Sequence, residues 1–126
     1  MAVAVERVTR EVKKMDVWIA NLGETNGVKT NIQKGQRPVI VMSNNIGNKY
    51  SPVVMVVPLS AQTQKGNLPT HVLLDKDKCG FDRHSVALFE QMRVLDKKDL
   101  ACKVASIPHE YESSLNSTYK VVAGIN

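Results

Sequence analysis

Apolar residues in this chain fall in short, β-branched runs bounded by turn residues, a spacing that predicts strands over most of its length. Val17 to Leu22 reads as the first strand. Pro38 to Met42 and Val53 to Leu59 are Val-rich and nearly unbroken, as expected of strands covered on both faces, and Asn44 to Asn48 joins them as a turn. His71 to Leu74 and Ser85 to Leu95 complete five strands, with Cys79-Gly80-Phe81 as punctuation before the last. Five short strands suggest a small barrel, and Lys103 to Ile107 is a candidate for one more. Pro108 suits the first turn of a helix, where its missing N–H costs nothing. Tyr111, Leu115, Thr118 or Tyr119, and Val122 then recur at helical spacing, so a mainly β fold with one C-terminal α-helix is expected.

A chain of 126 residues fits a single domain, residues 1–126. A domain of this size buries roughly two-thirds of its unfolded surface and needs no disulfide or metal to fold. Residues 1–14 fit two descriptions: a charged helix with Val5, Val8, Val12 and Met15 as a weak apolar stripe, or an N-terminal extension without regular structure. Cys79 and Cys102 are the only cysteines and have no metal-ligand spacing, so they read as free thiols of a reducing cytoplasm. Charges at Glu6, Arg7, Arg10, Glu11, Lys13 and Lys14 break up the N-terminus before a secretory apolar segment can form. The longest apolar run, Pro52 to Leu59, falls well short of the ~18 residues a membrane helix needs. The expectation is a soluble cytoplasmic protein with no membrane contact.

Charge is distributed unevenly. From Thr25 to Leu74 the chain runs fifty residues without an Asp or Glu while carrying Lys29, Lys34, Arg37, Lys49 and Lys65, so the formal net charge of +5 resides in that window. Such a field attracts polyanions. Within it, the connection from Gly23 to Gln36 exceeds the ~4 to 6 residues usual between elements, as functional loops often do. Its Asn26-Gly27 pair signals a turn, and Gly35 permits a close backbone approach to a partner.

Five stretches then spell a specific pattern: Gln33-Lys34-Gly35-Gln36-Arg37-Pro38-Val39; Ser43 through Pro52; Pro58-Leu59-Ser60-Ala61-Gln62; Leu68-Pro69-Thr70-His71-Val72; and Ser85 through Arg93 with Asp96-Lys97. Together, in this order from Asp16 to Leu100, they resemble the MazF/PemK family, the toxin half of bacterial toxin-antitoxin pairs. The resemblance implies an SH3-like small β-barrel of the MazF/CcdB kind that forms a homodimer. It implies an endoribonuclease that cuts single-stranded messenger RNA at short motifs without a metal or other cofactor. Attack by a ribose 2′-hydroxyl would leave a 2′,3′-cyclic phosphate and a 5′-hydroxyl end. It also implies a cognate acidic antitoxin lying over the substrate groove, and operator DNA as a partner reached through that antitoxin.

Arg37 matches the family's catalytic arginine. A guanidinium stays protonated in proteins, so it is a poor base, but its planar fork of donors fits phosphate oxygens. Pro38 biases Arg37 towards an extended backbone. Ser60 falls where the family most often has a catalytic threonine; it keeps the hydroxyl and loses the methyl that stiffens χ1. Gln33, Lys34 and Lys65 belong to the basic substrate-binding stretch, and Asn44, Leu68, Pro69, Glu90 and Gln91 match positions lining the RNA groove in similar proteins. Amides and carboxylates read base edges, and apolar walls pack on bases. Glu90 is in addition the nearest candidate carboxylate to orient Arg37, or else a structural pair within its strand. Two departures from the family concern substrate preference: Met15-Asp16 stands where relatives commonly place glycine before the aspartate, and the loop before Gln33 is about three residues longer than in many relatives.

Three alternatives compete. His71, His84 and His109 raise the two-imidazole mechanism of other metal-free ribonucleases, but only His71 lies within the motifs, and each histidine reads better as a satisfied or exposed strand residue. Asp75, Asp77 and Asp82 alternate with Lys76, Lys78 and Arg83 in what reads as a solvated turn rather than a metal site. A nonenzymatic binding module is the third, either a CcdB-like gyrase-binding toxin or an inactive homologue that retains antitoxin or DNA binding, since a shared architecture does not dictate activity.

Overall fold

Side-chain alternation along two central strands sends apolar residues to both faces of one sheet, and both faces are covered. The computed structural model describes residues 11–24, 32–62 and 68–125. Its strands are β1 (Asp16–Asn21), β2 (Gln36–Val41), β3 (Val53–Ser60), β4 (His71–Leu74), β5 (Ser85–Leu88), β6 (Arg93–Asp96) and β7 (Leu100–Ser106). Every pairing is antiparallel, in the order β4-β5-β3-β2-β1-β7, with β6 also on β3. Val39, Val41, Val54 and Val56 point to one face and pack with Val12, Trp18, Ala20, Leu95 and Leu100. Ile40, Val57 and Leu59 point to the other, against Val17, Leu74, Ala87, Phe89, Ile107 and Leu115. The unbroken valine runs of β2 and β3 are those of strands with no solvent-facing side.

Seven strands replace the five expected, for two physical reasons. Ser85 to Leu95 is not one strand: β5 and β6 both run along β3, but six steps of chain from Ala87 to Arg93 face only three steps of β3 from Leu59 to Val56. The surplus forms a 3₁₀ turn, Phe89–Gln91, pinned by the buried Phe89 ring and by Phe89 N–H donating to the Thr70 carbonyl at 3.0 Å. The added strand begins earlier than the apolar pattern indicated, because most of β7 is exposed and leaves little periodic signal. It is held to β1 by Lys103, whose Nζ lies 3.2 Å from the buried Asp16 carboxylate.

The expected turn at Asn44 to Asn48 is instead a short helix, α1 (Asn45–Tyr50), capped by Asn44 Oδ1, which accepts from Gly47 N–H. A second short helix, α2 (Lys76–Cys79), starts at Asp75, whose carboxylate accepts from Asp77 and Lys78 N–H, and it stops at Gly80 in the left-handed region. The C-terminal helix α3 (Glu112–Ala123) follows a 3₁₀ turn, His109–Tyr111, that begins after Pro108. Leu115 is fully buried on the Phe89 side of the sheet, with Tyr111, Tyr119 and Val122 packed around it, as their helical spacing predicted.

Residues Glu11 to Lys14 are not helical, and Val12 and Met15 pack into opposite clusters, so they share no stripe; Val5 and Val8 lie outside the described residues. Met15 has φ +74 and is the one described residue other than glycine with a positive φ. Its N–H donates to Val41 at 2.7 Å and its carbonyl accepts from Ile107 at 2.9 Å, so this strained residue ties the end of β2 to the end of β7. The residue is 9% exposed. Replacing Met15 by Ala removes that packing, at about 2–5 kcal/mol, and leaves the strain. Met15→Gly also removes it but relieves the left-handed penalty, so the Gly variant is expected to be the more stable of the two by about 1 kcal/mol. Urea unfolding of both variants checks this, and an Ala variant at least as stable as the Gly variant would contradict it.

Candidate active site

The register of β2 on β3 sets the relation between Arg37 and Ser60. Val39 faces Pro58, Ile40 faces Val57 and Val41 faces Val56. Arg37 lies two residues before Val39, and Ser60 two residues after Pro58, so alternation puts both on the Val39/Val56 face at the same end of the pair. Here the strands fork: β3 leaves β2 and pairs through Leu59 and Ser60 with Ala87 and Val86 of β5. Pro38 lies at the fork on the edge of β2 that faces β3, and it has no N–H to continue the ladder.

Arg37 is exposed, and its Nε donates to the Lys34 carbonyl at 3.1 Å. Among the described residues it has no carboxylate partner. Ser60 is only 8% exposed, and its Oγ accepts from Gln62 N–H at 3.1 Å, which leaves the hydroxyl proton to be donated elsewhere.

The long loop before Arg37 is tied at its neck. Leu22 N–H donates to the Gly35 carbonyl at 2.9 Å and Gly35 N–H to the Gly23 carbonyl at 2.8 Å. Gly23 and Gly35 both have positive φ, and a Cβ at Gly35 would meet nothing within 4 Å. Glycine at 35 thus serves the backbone bend and not a close approach within the chain. The Asn26-Gly27 turn signal lies outside the described residues, as do Lys29 and Lys65.

Gln33, Lys34 and Arg37 are brought together with Gln91, whose Oε1 accepts from Gln33 N–H at 2.6 Å. Glu90, next to Gln91, gathers the other candidates: its carboxylate accepts from Thr70 Oγ1 at 3.1 Å and lies 2.9 Å from His71 Nε2, just after the exposed Leu68 and Pro69. Glu90 therefore pairs neither with Arg37 nor within its own strand: it lies in the 3₁₀ turn, and its partners are His71 at the start of β4 and the adjacent Thr70. Burial opposes its ionisation, but the hydrogen bonds from His71 and Thr70 prevail and hold the carboxyl below its usual range. Asn44 is not part of this group. It caps α1 beyond the far end of β2, whereas Arg37 stands near the beginning, with roughly 13 Å of strand between. The basic window is divided accordingly: Lys34 and Arg37 flank the fork, while Lys49 lies over the Tyr50 ring at the opposite end.

Sequence reasoning assigned no role to Arg93, which donates to the Leu22 carbonyl at 3.4 Å and the Gln33 carbonyl at 3.0 Å. Its place in the Phe89-Glu90-Gln91-Met92-Arg93 motif was the available signal. Thr70 and His71 were likewise visible only as motif members. Asp75, the first of the acidic residues between the lysines, is occupied as a helix cap.

A lowered carboxyl pKa stabilises the fold above the unfolded value, near 4.3, and the contribution disappears as pH falls through the folded value. The stability of the wild type relative to Glu90→Gln should therefore decline as the pH is taken from about 5 to about 2.5, the range in which carboxylates titrate. Urea midpoints for both proteins across that range read it, and a constant difference would contradict it.

Residues 13–122 match the family of PemK-like, MazF-like toxins of type II toxin-antitoxin systems. The chain is 40% identical over 110 residues to endoribonuclease EndoA of Bacillus subtilis, covering 87% of this chain and 92% of that protein. Its fold is similar to the crystal structure of MazF from Deinococcus radiodurans, with a TM-score of 0.73 at 18% identity over 92% of this chain and 99% of the other. A mycobacterial endoribonuclease in complex with its cognate antitoxin gives a TM-score of 0.71 at 17% identity, covering 94% and 98%. With the family matched over nearly the whole chain, this protein belongs to the PemK/MazF toxins of type II toxin-antitoxin systems.

Proposed function

We propose that this toxin is a metal-independent endoribonuclease that cuts single-stranded messenger RNA in the cytoplasm, works as a homodimer, and is silenced by an acidic antitoxin segment laid over the same surface. The observation that carries the reading is an exposed guanidinium that has no carboxylate partner among the described residues, on the same face and at the same strand fork as the Ser60 hydroxyl. The relative's name, endoribonuclease EndoA, supports it. Among the described residues no helix is long and apolar enough to cross a membrane.

The chemistry follows from those two groups. The 2′-oxygen bonds to phosphorus, the bond from phosphorus to the 5′-oxygen breaks, and in net the 2′-hydroxyl proton ends on the departing oxygen. Charge accumulates on the non-bridging oxygens of the phosphorane. Arg37 supplies a fixed positive fork for that charge. Ser60, whose oxygen already accepts from Gln62, donates its proton to one of the same oxygens. Leu68, Pro69 and the amide of Gln91 offer apolar and polar surfaces for unstacked bases.

Purified protein is expected to cut single-stranded RNA in excess chelator, leaving 5′-hydroxyl ends. Arg37→Ala should fold normally and lose at least about 100-fold in kcat, the scale of one transition-state donor. Mapping 5′-hydroxyl ends on a long RNA tests this; growth arrest without new ends would instead support the nonenzymatic binding module. Equilibrium binding of an uncleavable RNA gives a second measure. With about four phosphate contacts at ~0.7 each, log affinity should fall against log salt with a slope near −3. A flat response would exclude the basic end as the binding surface.

A further inference from the structure

We propose that Arg93 is a positioning residue for Arg37, acting through the backbone of Gln33 and Lys34; the inference rests on the nuclease reading above. Arg93 stands at the start of β6, opposite Val56 of β3. Its Nη1 and Nη2 reach carbonyls on the two sides of the loop neck: Leu22, where the chain leaves β1, and Gln33, where it returns to β2. Gln91, two residues earlier, takes the N–H of the same Gln33. Both backbone polar groups of Gln33 are thus held, one from the turn between β5 and β6 and the other from the first residue of β6. The next carbonyl, that of Lys34, is the acceptor for Arg37 Nε.

The arrangement answers a specific electrostatic problem. A carboxylate would orient Arg37 strongly but neutralise the charge that the phosphorane needs. A carbonyl leaves that charge intact, yet a neutral hydrogen bond is weaker and positions only as well as its own backbone is fixed. Arg93 supplies the rigidity. It is partly buried, with burial lowering its pKa, and among the described residues it has no carboxylate partner. Placing an unpaired cation there is a poor way to gain stability alone. Its planar fork can span two carbonyls at once, whereas a lysine ammonium is a single point.

The test is steady-state cleavage of a short fluorogenic RNA by wild type, Arg93→Met and Arg93→Lys, with thermal melting and amide hydrogen exchange on each. Arg93→Met is expected to fold, to exchange faster at the amides of Gln33 to Arg37, and to lose about 10- to 100-fold in kcat with KM changed less than threefold, the scale of a small misplacement of a reacting group. Arg93→Lys should recover part of the loss. In an Arg37→Lys background, adding Arg93→Met should lower kcat little further, because the two act as one unit. A folded Arg93→Met with wild-type kcat, a loss confined to KM, or fully additive losses with Arg37→Lys would each overturn the positioning role. Should Arg93→Met fail to fold, the same criteria apply to Arg93→Lys. Wild-type protein that does not cut RNA would sink the nuclease reading itself, and this inference with it.

Discussion

Three residue pairs between β2 and β3, from Val39 opposite Pro58 to Val41 opposite Val56, carry the rest of this structure. They form the interior of two apolar clusters and set the register at the fork. Because side chains alternate, a slip of one residue in that pairing would turn Ser60 away from Arg37 and drive Val54 and Val56 into the wrong cluster. The hydrophobic force that selects the fold and the geometry that assembles the site are therefore the same constraint. Pro38 completes it by removing a donor that would keep the two strands zipped.

Two arginines illustrate how burial divides roles. Arg37 is exposed, donates to a backbone carbonyl and has no carboxylate partner among the described residues, so its charge is available to an anionic ligand. Arg93 is withdrawn beneath the loop neck and spends its donors on two carbonyls. Glu90 is held instead by Thr70 and His71.

Much of the fold was legible because burial imposes period. The valine runs announced β2 and β3, and Leu115 with Tyr119 and Val122 announced α3. What escaped was the structure made by contacts distant in sequence. Nothing in the run from Ser85 to Leu95 marks the three surplus residues that become a turn, since that surplus exists only against β3. The exposed β7 has no period to read. Asn44 shares its motif with groove residues, yet local capping chemistry at α1 claims its side chain, and the length of β2 carries it away from Arg37.

The amino-acid sequence by itself determined which segments must be buried, where the positive charge collects, and, through linked motifs, the family to which the chain belongs. Those properties are local: they depend on side-chain type, spacing and propensity. Only the tertiary structure decided which candidates meet, giving Glu90 to His71 rather than Arg37, setting Asn44 apart, and bringing Arg93 under the loop. Such choices depend on strand register and on which backbone groups remain unsatisfied at the fork, quantities that exist only once distant segments have paired.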